Sequence, residues 1–203
     1  MIAPDVLRFV RAALPPAPAR VLEIGAGAGE LAGALRGDGY DVVAIDPASE
    51  TPPVRAVALG DLEEPPASFD AAAAIVSLHH VEPLADSCRR LADVVRAGGR
   101  LVVDEFDVER FDERAAAWCL ARREATGHDH TGPADVVADL RDHIHPLREL
   151  HAVLEEWFEL EPPVRGAYLH RWDLPPGLLD VEEELIAAGR LPATGARMVG
   201  TRR

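Results

Sequence analysis

The feature that most constrains this chain is a glycine-rich turn, Val21-Leu-Glu-Ile-Gly25-Ala-Gly27-Ala-Gly29. It follows a short apolar run and precedes a helix-forming stretch. Glycines at a strand-to-helix turn let the backbone reverse sharply and let a ligand approach where a Cβ would stand. The dinucleotide pattern G-x-G-x-x-G places a third glycine at position 30, where this chain has Glu30, and Gly29 falls one residue early. A further acid, Glu23, lies inside the strand. Acids crowded at this turn repel a pyrophosphate and tolerate a cation. The pattern favours a cationic, phosphate-free ligand.

Around that turn, strands and helices alternate. Strands are expected at Arg20–Ile24, Asp41–Ile45, Val54–Ala58, Phe69–Val76 and Arg100–Asp104. The four alanines of Phe69–Val76 suit a helix equally well. Helices are expected at Asp5–Leu14, closed by Pro15 and Pro16, at Glu30–Arg36, ended by Gly37 and Gly39, and at Pro83–Ala97, with Gly98-Gly99 just beyond. Strands apolar on both faces imply a parallel sheet covered on both sides. The second half is richer in helix: Glu109–Thr126, Asp135–Asp142, Pro146–Glu156 and Leu178–Ala188, with a polar loop at His128–Pro133 and strands at Trp157–Leu160 and Gly195–Thr201. No repeat or low-complexity linker appears. Residues 1–203 are read as one domain, with 106–156 and 166–194 as helical elaborations covering the substrate side.

Composition narrows the function. The net charge is −14, and the arginines are scattered among more numerous acids. Gripping a phosphate backbone needs a basic patch, so nucleic acid is not an expected partner. The longest apolar run, Ala71 to Val76, is too short to span a bilayer. No signal-peptide core precedes the first helix. Cys88 and Cys119 have no metal-binding or redox spacing. A soluble cytoplasmic protein with no membrane partner is expected, and its oligomeric state is open.

Asp46 ends the second strand, seventeen residues past Gly29. A carboxylate there accepts hydrogen bonds from both ribose hydroxyls, which points to an adenosine moiety without choosing the cofactor. With these residues in place, the chain resembles the class I S-adenosylmethionine-dependent methyltransferases. The glycine run resembles their first motif. Gly60-Asp61-Leu62 with Pro65-Pro66 resembles the adenine segment. Ser68-Phe-Asp70 through Ser77-Leu-His-His80, and Leu91 to Val103, resemble the fourth strand and the helix and fifth strand after it. The nearest type is that of quinone and secondary-metabolite biosynthesis. The resemblance covers roughly residues 18–106 and, more weakly, the final strand. It implies a Rossmann-like α/β three-layer sandwich with a mostly parallel seven-stranded sheet in the order 3-2-1-4-5-7-6, strand 7 antiparallel. It implies S-adenosyl-L-methionine as cofactor and a small-molecule O or N acceptor. Gly25 and Gly27, with Ala26 and Gly29 completing the loop, are expected to line the methionine part. Glu23 is expected to order the loop and Asp46 to hold the ribose. Asp61 and the Leu62 backbone are expected at the adenine edge, and Ser77 beside the cofactor.

Methyl transfer needs alignment, exclusion of water and, for a hydroxyl or ammonium acceptor, a base. His79 and His80 end a parallel strand, where ligands bind in this architecture, although they also suit a structural pair. His145, at the His145-Pro146 junction, is a further candidate, expected to face the methyl side of an acceptor pocket built from residues 106–170. Glu105, just past the fifth strand, is also near the mouth, and suits equally a cap on the turn that follows. The spacings His128-x-His130 and His143-x-His145 do not suit zinc, so no metal is expected. Trp118, Trp157, Tyr168 and Trp172 suit the wall of an aromatic or apolar pocket, with core packing the expected role of each. The alternatives are a non-catalytic methyltransferase-like binding protein and a nicotinamide dinucleotide oxidoreductase.

Overall fold

The computed structural model describes residues 2–122, 132–172 and 174–203. Seven strands form one sheet: β1 (Arg20–Ile24), β2 (Asp41–Ile45), β3 (Phe69–Ile75), β4 (Val95–Phe106), β5 (Phe158–Leu160), β6 (Val164–Gly166) and β7 (Gly195–Arg202). The order is β2-β1-β3-β4-β7-β5, and β6 also pairs with β7. The β2-β1-β3-β4 ladders are parallel, while β7 runs antiparallel to β4, β5 and β6. This is the Rossmann-like sandwich expected from sequence.

The alternation of side chains explains both layers. Leu22, Ile24, Ala72, Ala74, Leu101 and Val103 face one side, packed by α3 (Leu84–Val94) and α6 (Leu147–Glu155). Val21, Ala71, Ala73 and Val102 face the other, packed by α1 (Pro4–Ala13) and α2 (Glu30–Gly37). The four alanines are strand, because β3 is flanked by β1 and β4 and covered on both faces. A third apolar cluster stands beyond the end of β4. It joins Phe106, Phe111, Tyr168 and Leu169 to α4 (Glu113–Leu120), α5 (Pro133–His143) and α7 (Leu179–Ala187).

Several boundaries move. Val54–Ala58 is not a strand: only Arg55 bridges to Ile45, and the Val57 N–H turns back onto the Arg55 carbonyl at 2.9 Å. The seventh strand is β6 instead. The helix from Pro83 stops at Val94. The chain then enters β4, whose register on β3 jumps from Phe69↔Val95 to Ala71↔Arg100. The helix expected from Glu109 begins at Glu113, because the Asp112 carboxylate caps it by accepting from the Ala115 N–H at 3.0 Å. The end of that helix and most of the polar loop, residues 123–131, lie outside the described residues. Among the described residues, no helix is long and apolar enough to cross a membrane.

Candidate active site

The parallel strands end together at one edge, and the glycine turn closes there. Gly25, Gly27 and Gly29 have φ of +67°, +53° and +78°, a region that side chains rarely adopt. A Cβ on Gly25 would stand 2.2 Å from the Ser77 Cβ, whereas a Cβ on Gly27 would meet nothing within 4 Å. The first glycine lets β1 and the end of β3 touch. The second leaves room beside the loop. Asp46 fastens the loop to β2: its Oδ2 accepts from the Gly27 N–H at 2.8 Å and its Oδ1 from the Ala48 N–H at 2.9 Å. Ser49 adds a hydroxyl bond to the Gly27 carbonyl at 2.8 Å. Each Asp46 oxygen still has a lone pair free for a ligand hydroxyl.

Glu23 lies beneath this turn, 4% exposed. Burial pushes its carboxyl up to about 7, against the opposing pull of the Ala32 N–H and Arg36. One of its oxygens has no hydrogen-bond partner among the described residues.

A cleft of about 440 Å³ opens at the strand ends, lined among others by Gly25, Asp46, Leu59, Val76, Ser77 and His80. That volume falls in the range of small-molecule sites, roughly 300–1,000 Å³. Its charged lining residues are Asp46 and Glu82, with no lysine or arginine among the described residues, which suits a cationic ligand and not a pyrophosphate.

The turn bearing Ser77, His79 and His80 is held by a device that sequence reading missed. Val76 is β-branched and yet sits at φ +55°, a strained conformation that tertiary contacts must impose. The carboxylate of Glu105, fully buried inside β4, accepts from the Ser77 N–H at 3.0 Å, the Leu78 N–H at 2.7 Å and His79 Nδ1 at 2.5 Å. Glu105 therefore caps the turn after β3 and not one following its own strand. The Ser77 hydroxyl donates to the Ile24 carbonyl at 2.9 Å, joining the turn to β1.

The expected site residues separate. Gly25, Asp46, Ser77 and His80 meet at the cleft. His79 is 4% exposed and locked on Glu105. Withdrawal from water, and then the neighbouring His79 ring, hold the His80 pKa below the usual histidine value. Asp61 is exposed and Leu62 buried, its carbonyl taken by Arg90 at 2.6 Å. Ala58 and Leu59, just before them, line the cleft. The positions 145 and 106–170 stand apart from this cleft. His145 is not a lining residue: its Nε2 lies 2.9 Å from Glu82 and its Nδ1 3.5 Å from Glu149, and its N–H donates to the His79 carbonyl at 3.0 Å. The cleft lining comes from residues 24–87. The later aromatics pack on one another instead, with Tyr168 stacked on Phe106 at 5.0 Å and Trp172 against both. Trp157 packs against the α3–α6 core.

An open α/β sheet with a glycine turn after its first strand and an acid at the tip of its second defines a Rossmann-like nucleoside-binding protein. The chain belongs to the methyltransferase-domain family, whose model matches residues 2–155. It is 30% identical over 182 residues to a ubiquinone biosynthesis O-methyltransferase of Xanthomonas axonopodis pv. citri, covering 75% of this chain and 73% of that protein. It is 42% identical over 98 residues to an uncharacterized methyltransferase of Mycobacterium tuberculosis, and that match covers 43% of this chain and only 40% of the relative's length. Its fold matches an S-adenosylmethionine dependent methyltransferase from Mesorhizobium loti with a TM-score of 0.64 at 18% identity, over 98% of this chain and 96% of that one.

Proposed function

We propose that this protein is an S-adenosylmethionine-dependent methyltransferase acting in the cytoplasm on a small-molecule oxygen or nitrogen acceptor. The observation that carries this reading is the junction of the open Gly27 loop, Asp46 and Ser77 at one acidic cleft with no lysine or arginine among its described lining residues. S-adenosyl-L-methionine supplies a methyl group already activated by its sulfonium. Gly25, Ala26, Gly27 and Gly29 form the wall for its methionine part, Asp46 holds the ribose hydroxyls, and Ser77 borders the transfer point. Glu23 keeps the loop and the start of α2 together. Ala58 and Leu59 take the adenine face in place of Asp61 and Leu62. The related ubiquinone O-methyltransferase supports a small acceptor, and the net charge of −14 argues against nucleic acid. Residues 1–203 work as one domain, with 106–156 and 166–194 capping the sheet edge.

Thermal denaturation with each cofactor tests the reading. S-adenosylmethionine and S-adenosylhomocysteine are expected to raise the melting temperature, and NAD and NADP to leave it unchanged, since a ligand that binds only the folded state stabilises it. An equal or larger shift with NADP overturns the cofactor.

A further inference from the structure

Of the three histidines gathered at the end of β3, only His80 both lines the cleft and has its ring free of hydrogen bonds among the described residues. His79 is committed to Glu105, and His145 stands outside the cleft lining, 2.9 Å from Glu82 and 3.5 Å from Glu149. The His80 ring stands 4.1 Å from the His79 ring, centroid to centroid. Its backbone is fixed by the strained Val76, by the two N–H groups that Glu105 holds, and by the Ser77 bond to β1. The imidazole beside the open loop is thus on a rigid mount, as acid–base chemistry requires.

Resting on the methyltransferase reading, we propose that His80 takes the proton of the methyl acceptor and that Glu105 is its positioning residue, acting through the clasped turn and through His79. In the reaction, an electron pair of the acceptor's oxygen or nitrogen forms the new bond to the methyl carbon. The carbon–sulfur pair departs with sulfur, leaving a neutral thioether. The acceptor's O–H or N–H proton passes to the unprotonated His80 nitrogen, and the imidazolium then returns it to bulk water. A neutral His80 is the competent form. The groups that set its charge are His79 on the same turn, Glu105 from β4, His145 ahead of α6, and Glu82 at the rim. Glu105 favours the imidazolium, whereas His79 and His145 oppose it.

The test reads His80 directly, without an acceptor. Histidine-labelled full-length protein is titrated by NMR, alone and with S-adenosylhomocysteine. Wild-type His80 is expected to titrate below free histidine. Glu105→Gln keeps an oxygen for the Ser77 and Leu78 N–H groups but removes the charge, so it is expected to lower the His80 midpoint by about half a unit or more. His79→Gln is expected to raise it, and serves should Glu105→Gln not fold. Diethyl pyrocarbonate is expected to modify His80 near neutral pH and to be blocked by S-adenosylhomocysteine. An unmoved His80 midpoint in both variants, or a His80 that resists the reagent while the exposed His143 reacts, overturns the proposal. Failure of S-adenosylhomocysteine to shift the melting temperature overturns the methyltransferase reading instead, and leaves the His80 titration readable.

Discussion

The chain builds one clasp twice. Ser77-Leu-His-His80 and Tyr168-Leu-His-Arg171 are both single tight turns, entered at nearly the same angles, φ −138° and ψ −36° at Ser77 against φ −147° and ψ −38° at Tyr168. Each is held by one fully buried glutamate that accepts from the first two N–H groups and from the histidine Nδ1. Glu105 does so in the first turn. In the second Glu182 does, at 2.8, 2.9 and 2.9 Å, with the His170 N–H added at 2.8 Å. The difference lies in the residue next after the clasped histidine. His80 faces the cleft. Arg171 is neutralised, with Nη1 on Asp104 at 2.7 Å and Nη2 on Asp5 at 3.1 Å, while Arg197 holds the same two acids. The second clasp thus ties α1, β4 and β7 together. One local device serves a site where its last residue is left free and serves as a tie where that residue is paired.

The largest expected effect tests whether the clasps are equivalent. Glu105→Ala and Glu182→Ala each leave several buried donors without an acceptor, so each is expected to cost about 3–5 kcal/mol of stability in urea unfolding. Only Glu105→Ala is expected to weaken S-adenosylhomocysteine binding, because only its turn touches Gly25. Equal losses of affinity in both would erase the distinction drawn between them.

The next effect is one of pH and contrasts Glu182 with Glu23. Burial acts to raise the Glu182 pKa, but His170 and three backbone N–H groups outweigh it and leave the pKa lowered. Its stabilisation is therefore present above the ordinary glutamate value and lost as pH falls through the folded value. Glu23, raised to about 7, has the opposite sign. Its contribution is present below the ordinary value, near 4.5, and is lost as pH rises to about 7, a change of about 3 kcal/mol at roughly 1.4 kcal/mol per pKa unit. In the ligand-free protein, Glu23→Gln should flatten stability between pH 5 and 8, and Glu182→Gln should flatten only the acid limb. Unaltered profiles would show that neither carboxyl is coupled to folding.

Asp46→Ala comes next. Calorimetry with S-adenosylhomocysteine is expected to show a loss of about 1.5–3 kcal/mol, the range for hydrogen bonds to a charged group; wild-type affinity would move the ribose elsewhere. The smallest change is His80→Gln. An exposed side chain with no hydrogen bond among the described residues should alter stability by less than about 0.5 kcal/mol, and a larger loss would mean that the first turn, like the second, is a tie.

Much of this fold was legible because the information is local. Period-two apolar strands, a glycine turn and glycine or proline helix ends predicted β1, β2, β3, β4 and β7 in nearly the right places. The same turn and the acid at Asp46 pointed to the edge of the sheet where the cleft opens. Pairing partners are not local, so Val54–Ala58, which has strand composition, keeps only one bridge, and β6 went unseen. What only the tertiary structure decided is the fate of each polar side chain. The Leu-His pair occurs at 78–79 and again at 169–170, but nothing in the chain says that Glu105, 26 residues after His79, and Glu182, 12 after His170, will close on them. His79, His80 and His145 look alike as candidates in sequence. The first is buried against Glu105, and the third stands beside Glu82 and Glu149, apart from the cleft. Among the described residues, only His80 of the three keeps a free ring at the cleft, because hydrogen-bond partners are assigned by packing across the sheet and not by neighbours along the chain.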